Sequence, residues 1–207
     1  SSPRGLPLLE KIIHKDPFLY DAFASLSMIG GEQALGILED FALPAQDGEI
    51  RVKAVKTLSE IRGINAGKVL PVLERLLSDN NEAVVSAAAV GLGKLCGSAY
   101  PWRQEYALDH AGKERAMAML ERVPANSAIS FFSAWRWTGT KRGLELLQRE
   151  FTTPSGRGND RYAGEALIHL GYADLVMDGF EQALARKDFN RCQDLHQLLV
   201  QLRKDRA

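Results

Sequence analysis

A short apolar pattern recurs three times in the first half of the chain, and it constrains the fold more than any other feature. In each copy a small residue, Ala22, Ala54 or Ala88, is followed four positions later by leucine and three positions after that by isoleucine or leucine. This spacing places all three side chains on one face of an α-helix. The copies are offset by 32 and 34 residues. A period of this length predicts a stack of similar helical units.

Each copy ends in glycine, at Gly31, Gly63 and Gly97. Glycine readily adopts the left-handed conformation that ends many helices, so we expect a left-handed stop at each position. The alanine at the start of the pattern predicts close approach of a neighbouring helix, and the Gly91-Leu92-Gly93 segment within the third copy has the same interpretation.

Further helices are predicted around these copies. A weaker copy runs from Ala163 to Gly171, and a degenerate, aromatic copy covers residues 127–138. A second amphipathic helix follows each copy, and these second helices are predicted over residues 33–41, 69–77, 112–122, 141–151 and 172–186. A terminal helix is predicted over residues 190–204. Because no stretch shows convincing strand alternation, the sequence predicts an all-α protein.

Two segments resemble a known family. Residues 71–79 read Pro-Val-Leu-Glu-Arg-Leu-Leu-Ser-Asp, and residues 50–54 read Ile-Arg-Val-Lys-Ala ahead of Leu58. Both resemble the HEAT repeat, particularly the short bacterial HEAT-like form of phycobilisome lyases. The similarity covers Phe18 to Gly97. Val84-Val85 departs from the pattern, which has Ile-Arg there, so the family's Asp–Arg ladder between repeats is expected to be incomplete.

The resemblance implies an alpha-alpha superhelix, a right-handed HEAT-like (armadillo-like) solenoid of about five helix pairs. First helices would lie on its convex side and second helices on its concave side, where such proteins usually bind their partners. We therefore interpret residues 1–207 as a single solenoid, with the alternative that it is a fragment of a longer protein.

One insertion interrupts the third repeat at residues 98–112. It contains Trp102, Arg103 and Tyr106, residue types enriched at binding hot spots. Insertions in solenoids often map to a binding surface, and this one precedes a second helix that carries Arg115, with Arg142 one repeat further on. We predict these five residues as the partner-binding set. The alternative is that Trp102 covers core left open at an irregular junction.

Trp135 and Trp137 form a second aromatic candidate. Alternate residues cannot share one helical face, so at least one of them is expected to pack inside. The other would then be available to stack on a ligand near Arg136 or Arg142, although core packing of both is favoured.

Charge and cysteine content exclude some classes of protein. The 26 basic and 26 acidic residues give a net charge of zero, which provides no overall field to attract nucleic acid or an anionic membrane. No apolar run approaches the length of a membrane span. The two cysteines, Cys96 and Cys192, are far apart and favour reduced thiols in a cytoplasmic protein. The chain starts at Ser1, which leaves a removed export signal as an alternative.

The leading functional hypothesis is a noncatalytic scaffold or adaptor that binds another protein, with no cofactor. The sequence offers no combination of nucleophile, base and orienting group, and its four histidines stand apart without metal-ligand spacing, so we predict neither catalytic nor metal-binding residues. The oligomeric state is left open. One alternative is a HEAT-like DNA glycosylase that uses Trp102, Asp109, Trp135 and Arg136. Another is a bilin-lyase-type ligand-binding protein.

Overall fold

The computed structural model describes residues 5–16, 20–44, 46–97, 108–123, 128–153 and 159–205. Within these residues it contains twelve α-helices and no β-strand, which confirms the all-α prediction. The helices are α1 (Leu6–Lys15), α2 (Tyr20–Ile29), α3 (Gly31–Ala42), α4 (Gly48–Leu58), α5 (Ala66–Leu76), α6 (Glu82–Cys96), α7 (His110–Leu120), α8 (Ala128–Thr138), α9 (Lys141–Thr152), α10 (Asn159–His169), α11 (Ala173–Ala185) and α12 (Phe189–Asp205).

The helices form two rows. Helices α2, α4, α6, α8, α10 and α12 pack one against the next, and we call them the first-helix row. Helices α1, α3, α5, α7, α9 and α11 form the second-helix row, and from α3 onwards each of them packs against the first helix that follows it in the chain. Neighbouring pairs therefore bury each other's apolar faces. The superhelical curvature and handedness stay predictions.

The predicted elements correspond to observed helices. The five apolar copies form α2, α4, α6, α8 and α10, the second helices form α3, α5, α7, α9 and α11, and the terminal helix is α12. Helix α1 was not predicted, because it lacks the alanine and the closing glycine of the repeated pattern. Its Pro7 lies in the first turn, where a missing backbone N–H costs nothing.

Small residues allow neighbouring helices of the first-helix row to pack closely. Ala54 and Ala88 are fully buried, as expected. A Cβ at Gly93 of α6 would overlap the carbonyl oxygen of Ala134 in α8, and a Cβ at Gly91 would lie 3.2 Å from Leu73. The interpretation of the Gly91-Leu92-Gly93 segment as a close-packing site is therefore confirmed.

The glycines that close the copies act in two ways. Gly31 and Gly63 have φ values of 79° and 64°, so both adopt the predicted left-handed conformation. Neither is the residue at which its helix stops, because α2 ends before the left-handed Gly30 and α4 ends at Leu58. The prediction is wrong for Gly97, whose φ is −80°. The physical reason for glycine there is the close approach of α8, since a Cβ would overlap the carbonyl oxygen of Trp137.

Short polar side chains cap the N-termini of several helices. Each accepts a hydrogen bond from a backbone N–H in the first turn, which would otherwise lack a partner. These capping residues are Asp47 for α4, Asn65 for α5, Asn81 for α6, Asp109 for α7 and Thr140 for α9.

A buried ion pair joins two neighbouring helix pairs. The Arg51 guanidinium in α4 contacts the Asp79 carboxylate after α5, and Arg51 Nε also donates a hydrogen bond of 3.1 Å to the Ala42 carbonyl. The Arg51 side chain is buried, and the Asp79 side chain is 10% exposed. It is the kind of Arg–Asp link that the family resemblance implies between repeats.

Candidate interaction surface on the second-helix row

Ion pairs connect consecutive helices of the second-helix row from α3 to α9. The chain of pairs begins with Lys68 to Glu32 and Arg75 to Glu39 at 3.7 Å, continues with Arg115 to Glu74 at 2.5 Å, and ends with Arg142 to Glu121 at 2.5 Å and to Glu114 at 3.8 Å. The hydrogen bond from Lys68, together with its positive charge, lowers the pKa of Glu32.

These pairs have a common direction. In each of them the cation belongs to the helix that comes later in the chain and the carboxylate to the earlier helix. Pairs as exposed as these stabilise a fold only slightly. Their main effect is to give this face alternating, locally compensated charge.

The structure places two of the five predicted partner-binding residues on this face. Arg115 and Arg142 have side chains that are 56% and 46% exposed, although each pairs with glutamate of the preceding second helix. Trp102, Arg103 and Tyr106 lie outside the described residues, as does the predicted insertion up to residue 107. The rest of that insertion forms the start of α7.

The two tryptophans of α8 have different environments. Trp135 is 1% exposed and belongs to the core, so the expectation that at least one packs inside is confirmed. Trp137 is half-buried, with Lys94 Nζ 5.7 Å and Arg136 Cζ 5.3 Å from its ring centroid. Lys94 is itself held by Glu60 at 2.7 Å, so this cluster belongs to the first-helix row.

The structure also shows the environment of Asp109 and of the two cysteines, and it tests for metal-binding groups and membrane spans. The Asp109 carboxylate accepts a hydrogen bond of 2.7 Å from the Gly112 backbone N–H and so caps α7. Both cysteines are free thiols, and burial raises the pKa of Cys96 to about 12. Among the described residues, no three His, Cys, Asp or Glu side chains are grouped so that they could hold a metal ion. Of the helices in the described part of the chain, none combines the length and apolar character needed to span a bilayer.

The sequence did not predict a groove between α9 and α11, which has a volume of about 490 Å³. Phe151, Leu167 and Ala183 line its floor but are buried, and Leu175 is a half-buried apolar residue on its lining. Arg149 and Arg186 lie on its lining and are both exposed. The groove therefore combines a few apolar side chains with exposed charged ones, including Asp178 and Asp188.

Two glycines make the floor of this groove. The Phe151 ring lies between Gly164 of α10 and Gly179 of α11, and Cβ atoms there would come within 3.1 Å and 2.6 Å of the ring. Alanine at Gly179 would have to displace the buried ring. The available sequence signal, which was not used, is a glycine inside a predicted helix with no turn to explain it.

Arg191 fixes the end of the groove next to α12. Its Nη2 donates a hydrogen bond of 2.5 Å to the Phe151 carbonyl, and its Nε lies 3.7 Å from the Asp160 carboxylate. Asp188, also on the lining, accepts a hydrogen bond of 3.1 Å from the Arg191 backbone N–H. These contacts tie α9, α10 and α12 together and make the groove wall a fixed part of the fold.

Comparison with known proteins gives no match: no protein-family model matches the sequence, and a search of curated proteins finds no significant similarity.

Proposed function

We propose that this chain is a noncatalytic scaffold or adaptor that binds another protein along its second-helix row. The partner places a short segment in the groove between α9 and α11. The observation that carries this proposal is the groove itself, a pre-formed concave site at one end of a face with alternating charge.

The groove favours a segment with an apolar side chain and an acidic group. An apolar side chain of the partner would lie against the half-buried Leu175, and an acidic group would pair with Arg149 or Arg186. The lining carries three arginines and two aspartates, and one of these aspartates, Asp188, already accepts a hydrogen bond from Arg191. Bound carboxylates are favoured at such arginine-rich sites because guanidinium groups make paired hydrogen bonds to them.

The exposed ion pairs extend the surface beyond the groove. Arg115 and Arg142 lie on the same row, and their half-exposed guanidinium groups can contact a partner without giving up the existing pairs. A larger partner would therefore contact the alternating charges of α5, α7 and α9 while its short segment occupies the groove. Charge complementarity of this kind contributes mainly to specificity and association rate.

A peptide-display selection tests the proposal. Random twelve-residue peptides are selected against the wild-type chain and then counter-selected against the Arg149→Glu/Arg186→Glu variant. We expect enriched peptides that combine an apolar residue with Asp or Glu and that bind the variant on the order of tenfold more weakly or worse.

Lys56→Glu is the matched control, because it reverses one exposed charge on α4 of the first-helix row and should leave peptide affinity unchanged. The proposal fails if no peptide is enriched, or if the enriched peptides bind the wild-type chain and the double variant equally well.

A further inference from the structure

Helix α11 has an uncovered apolar stripe on the side away from the groove. Met177 and Leu184 are 42% and 56% exposed, and Phe180 between them is partly buried. Their spacing places all three on one face of the helix. The groove is lined from α11 by Leu175, Gly179 and Gln182, which by the same helical geometry face the opposite way. Within the described residues, no helix covers this stripe.

The position of the stripe follows from the order of the rows. Helix α12 packs against α10 and α11, so it occupies the place of the next first helix in the first-helix row. The second helix that would complete this pair would lie beside α11, over the stripe. Phe189, at the start of α12, is 72% exposed on the same hairpin.

Helix α1 has the complementary position at the other end of the second-helix row. It packs on α2 and α3, and the His14 ring lies 4.7 Å from the Phe41 ring of α3. Leu8 is 62% exposed, and Ile12, four residues later, is only partly buried. Helical spacing turns Leu8 and Ile12 away from His14, and therefore away from α3. They face the side where a preceding second helix would lie.

The charges beside the two apolar faces are opposite. Asp174 and Glu181 border the stripe on α11, whose third acid, Asp178, lines the groove, and the helix contains no lysine or arginine. On α1, Lys11 and Lys15 follow Leu8 at helical spacing, so they border its apolar face. Among the described residues, the ion pairs between second helices have their cation on the later helix. Helix α1 of a second copy, placed after α11, would continue this pattern.

We propose that the chain associates head to tail with itself, with α1 of one copy on the α11 stripe of another. Leu8 and Ile12 would contact Met177 and Leu184, and the lysines of α1 would pair with the acids of α11. The two surfaces are different patches of the molecule, so each copy still has one surface available after a dimer forms. Such heterologous contacts extend into chains or close into rings.

Sedimentation velocity of the purified full chain over a concentration series tests this inference. We expect the weight-average mass of the wild-type chain to rise with concentration past that of a dimer. Leu8→Glu and Leu184→Glu should each weaken association by on the order of tenfold or more, because a carboxylate buried in an apolar contact lacks a partner. Leu43→Glu, an exposed leucine between α3 and α4, is the control and should associate like the wild-type chain.

Mixing the two variants separates this arrangement from others. Each variant retains one intact surface, so an equimolar mixture should form one-to-one dimers and nothing larger, while each variant alone stays monomeric. A wild-type chain that remains monomeric at every concentration overturns the inference, as does a Leu8→Glu variant that associates on its own as strongly as the wild-type chain. Circular dichroism melts establish that each variant is folded, and peptide binding in the groove is read out separately.

Discussion

Arg142 and Glu121 form two hydrogen bonds, one of 2.7 Å from Nε to Oε1 and one of 2.5 Å from Nη2 to Oε2, which join α9 to α7. The paired geometry is the strongest that arginine and a carboxylate adopt. Both side chains are nevertheless at least a third exposed, so water screens the interaction. The pair therefore orients Arg142 on the second-helix row more than it stabilises the fold.

The first prediction concerns this pair. Arg142→Ala should lower the free energy of unfolding by less than about 1 kcal/mol, because exposed ion pairs contribute little. Urea denaturation of the two single variants and the double variant with Glu121→Ala measures the coupling energy. A coupling of several kcal/mol would contradict the view that Arg142 remains available to a partner.

The second prediction concerns close packing in the first-helix row. Gly93→Ala should destabilise the chain by about 1–3 kcal/mol, because the new Cβ overlaps the Ala134 carbonyl oxygen and the helices must separate. Gly36→Ala is the matched control: it lies within α3 and its Cβ would meet no atom within 4 Å. It should stabilise the chain by about 0.4–1 kcal/mol through reduced freedom of the unfolded state. Denaturant melts that show the same effect for both variants would contradict the observed packing.

The third prediction concerns the buried pair of Arg51 and Asp79. Burial alone would raise the pKa of Asp79, but the hydrogen bonds from Arg51 and the Asn81 backbone, together with the Arg51 charge, lower it below its usual range. A lowered pKa of an acid adds stability above the pKa of the unfolded chain, and this stability is lost as the pH falls through the folded value. The contribution should therefore be complete at neutral pH and decline below about pH 4.

Asp79→Asn tests this pH dependence. At pH 7 it should lower the free energy of unfolding by about 3–5 kcal/mol, since it leaves the Arg51 charge buried without its partner. The difference from the wild-type chain should shrink as the pH is lowered towards 3. A difference that stays constant from pH 7 to pH 3 would show that the pair does not set the acid sensitivity.

The order of the helices could be predicted from the sequence because one short apolar pattern recurs in the first helices of the repeats. The Ala54, Leu58 and Ile61 positions are all buried, as are their counterparts Ala88 and Leu92. Such periodicity is local and can be read directly from residue spacing. Helix α1 falls outside the pattern, and its apolar face became apparent only from its packing on α2 and α3.

The candidate site was harder to predict because it joins residues that are far apart in the chain. Taken one at a time, the sequence shows a core aromatic residue, Phe151, and two glycines inside helices, Gly164 and Gly179. Only the packing of α9, α10 and α11 shows that the glycines make room for the ring. Arg115 and Arg142 were predicted from composition, but their pairing with glutamates depends on how neighbouring second helices align.

The fourth prediction concerns nucleic acid. With 26 basic and 26 acidic residues, and with Arg115 and Arg142 of the second-helix row paired to glutamates, the chain should not bind duplex DNA tightly at physiological salt. A mobility-shift titration over a range of salt concentrations measures this. A sub-micromolar complex whose affinity falls steeply with added salt would contradict the prediction and favour the DNA glycosylase alternative.

The groove between α9 and α11 is central to this account, and amide chemical shifts test it most directly. A peptide selected on the wild-type chain is titrated into the isotope-labelled protein. We expect the largest shifts at the backbone amides of Arg149, Phe151 and Gly179, while the indole N–H of Trp137 on the first-helix row stays unchanged. Largest shifts around Lys94, Arg136 and Trp137, with the amides of α9 and α11 unperturbed, would contradict the assignment of the groove as the partner-binding site.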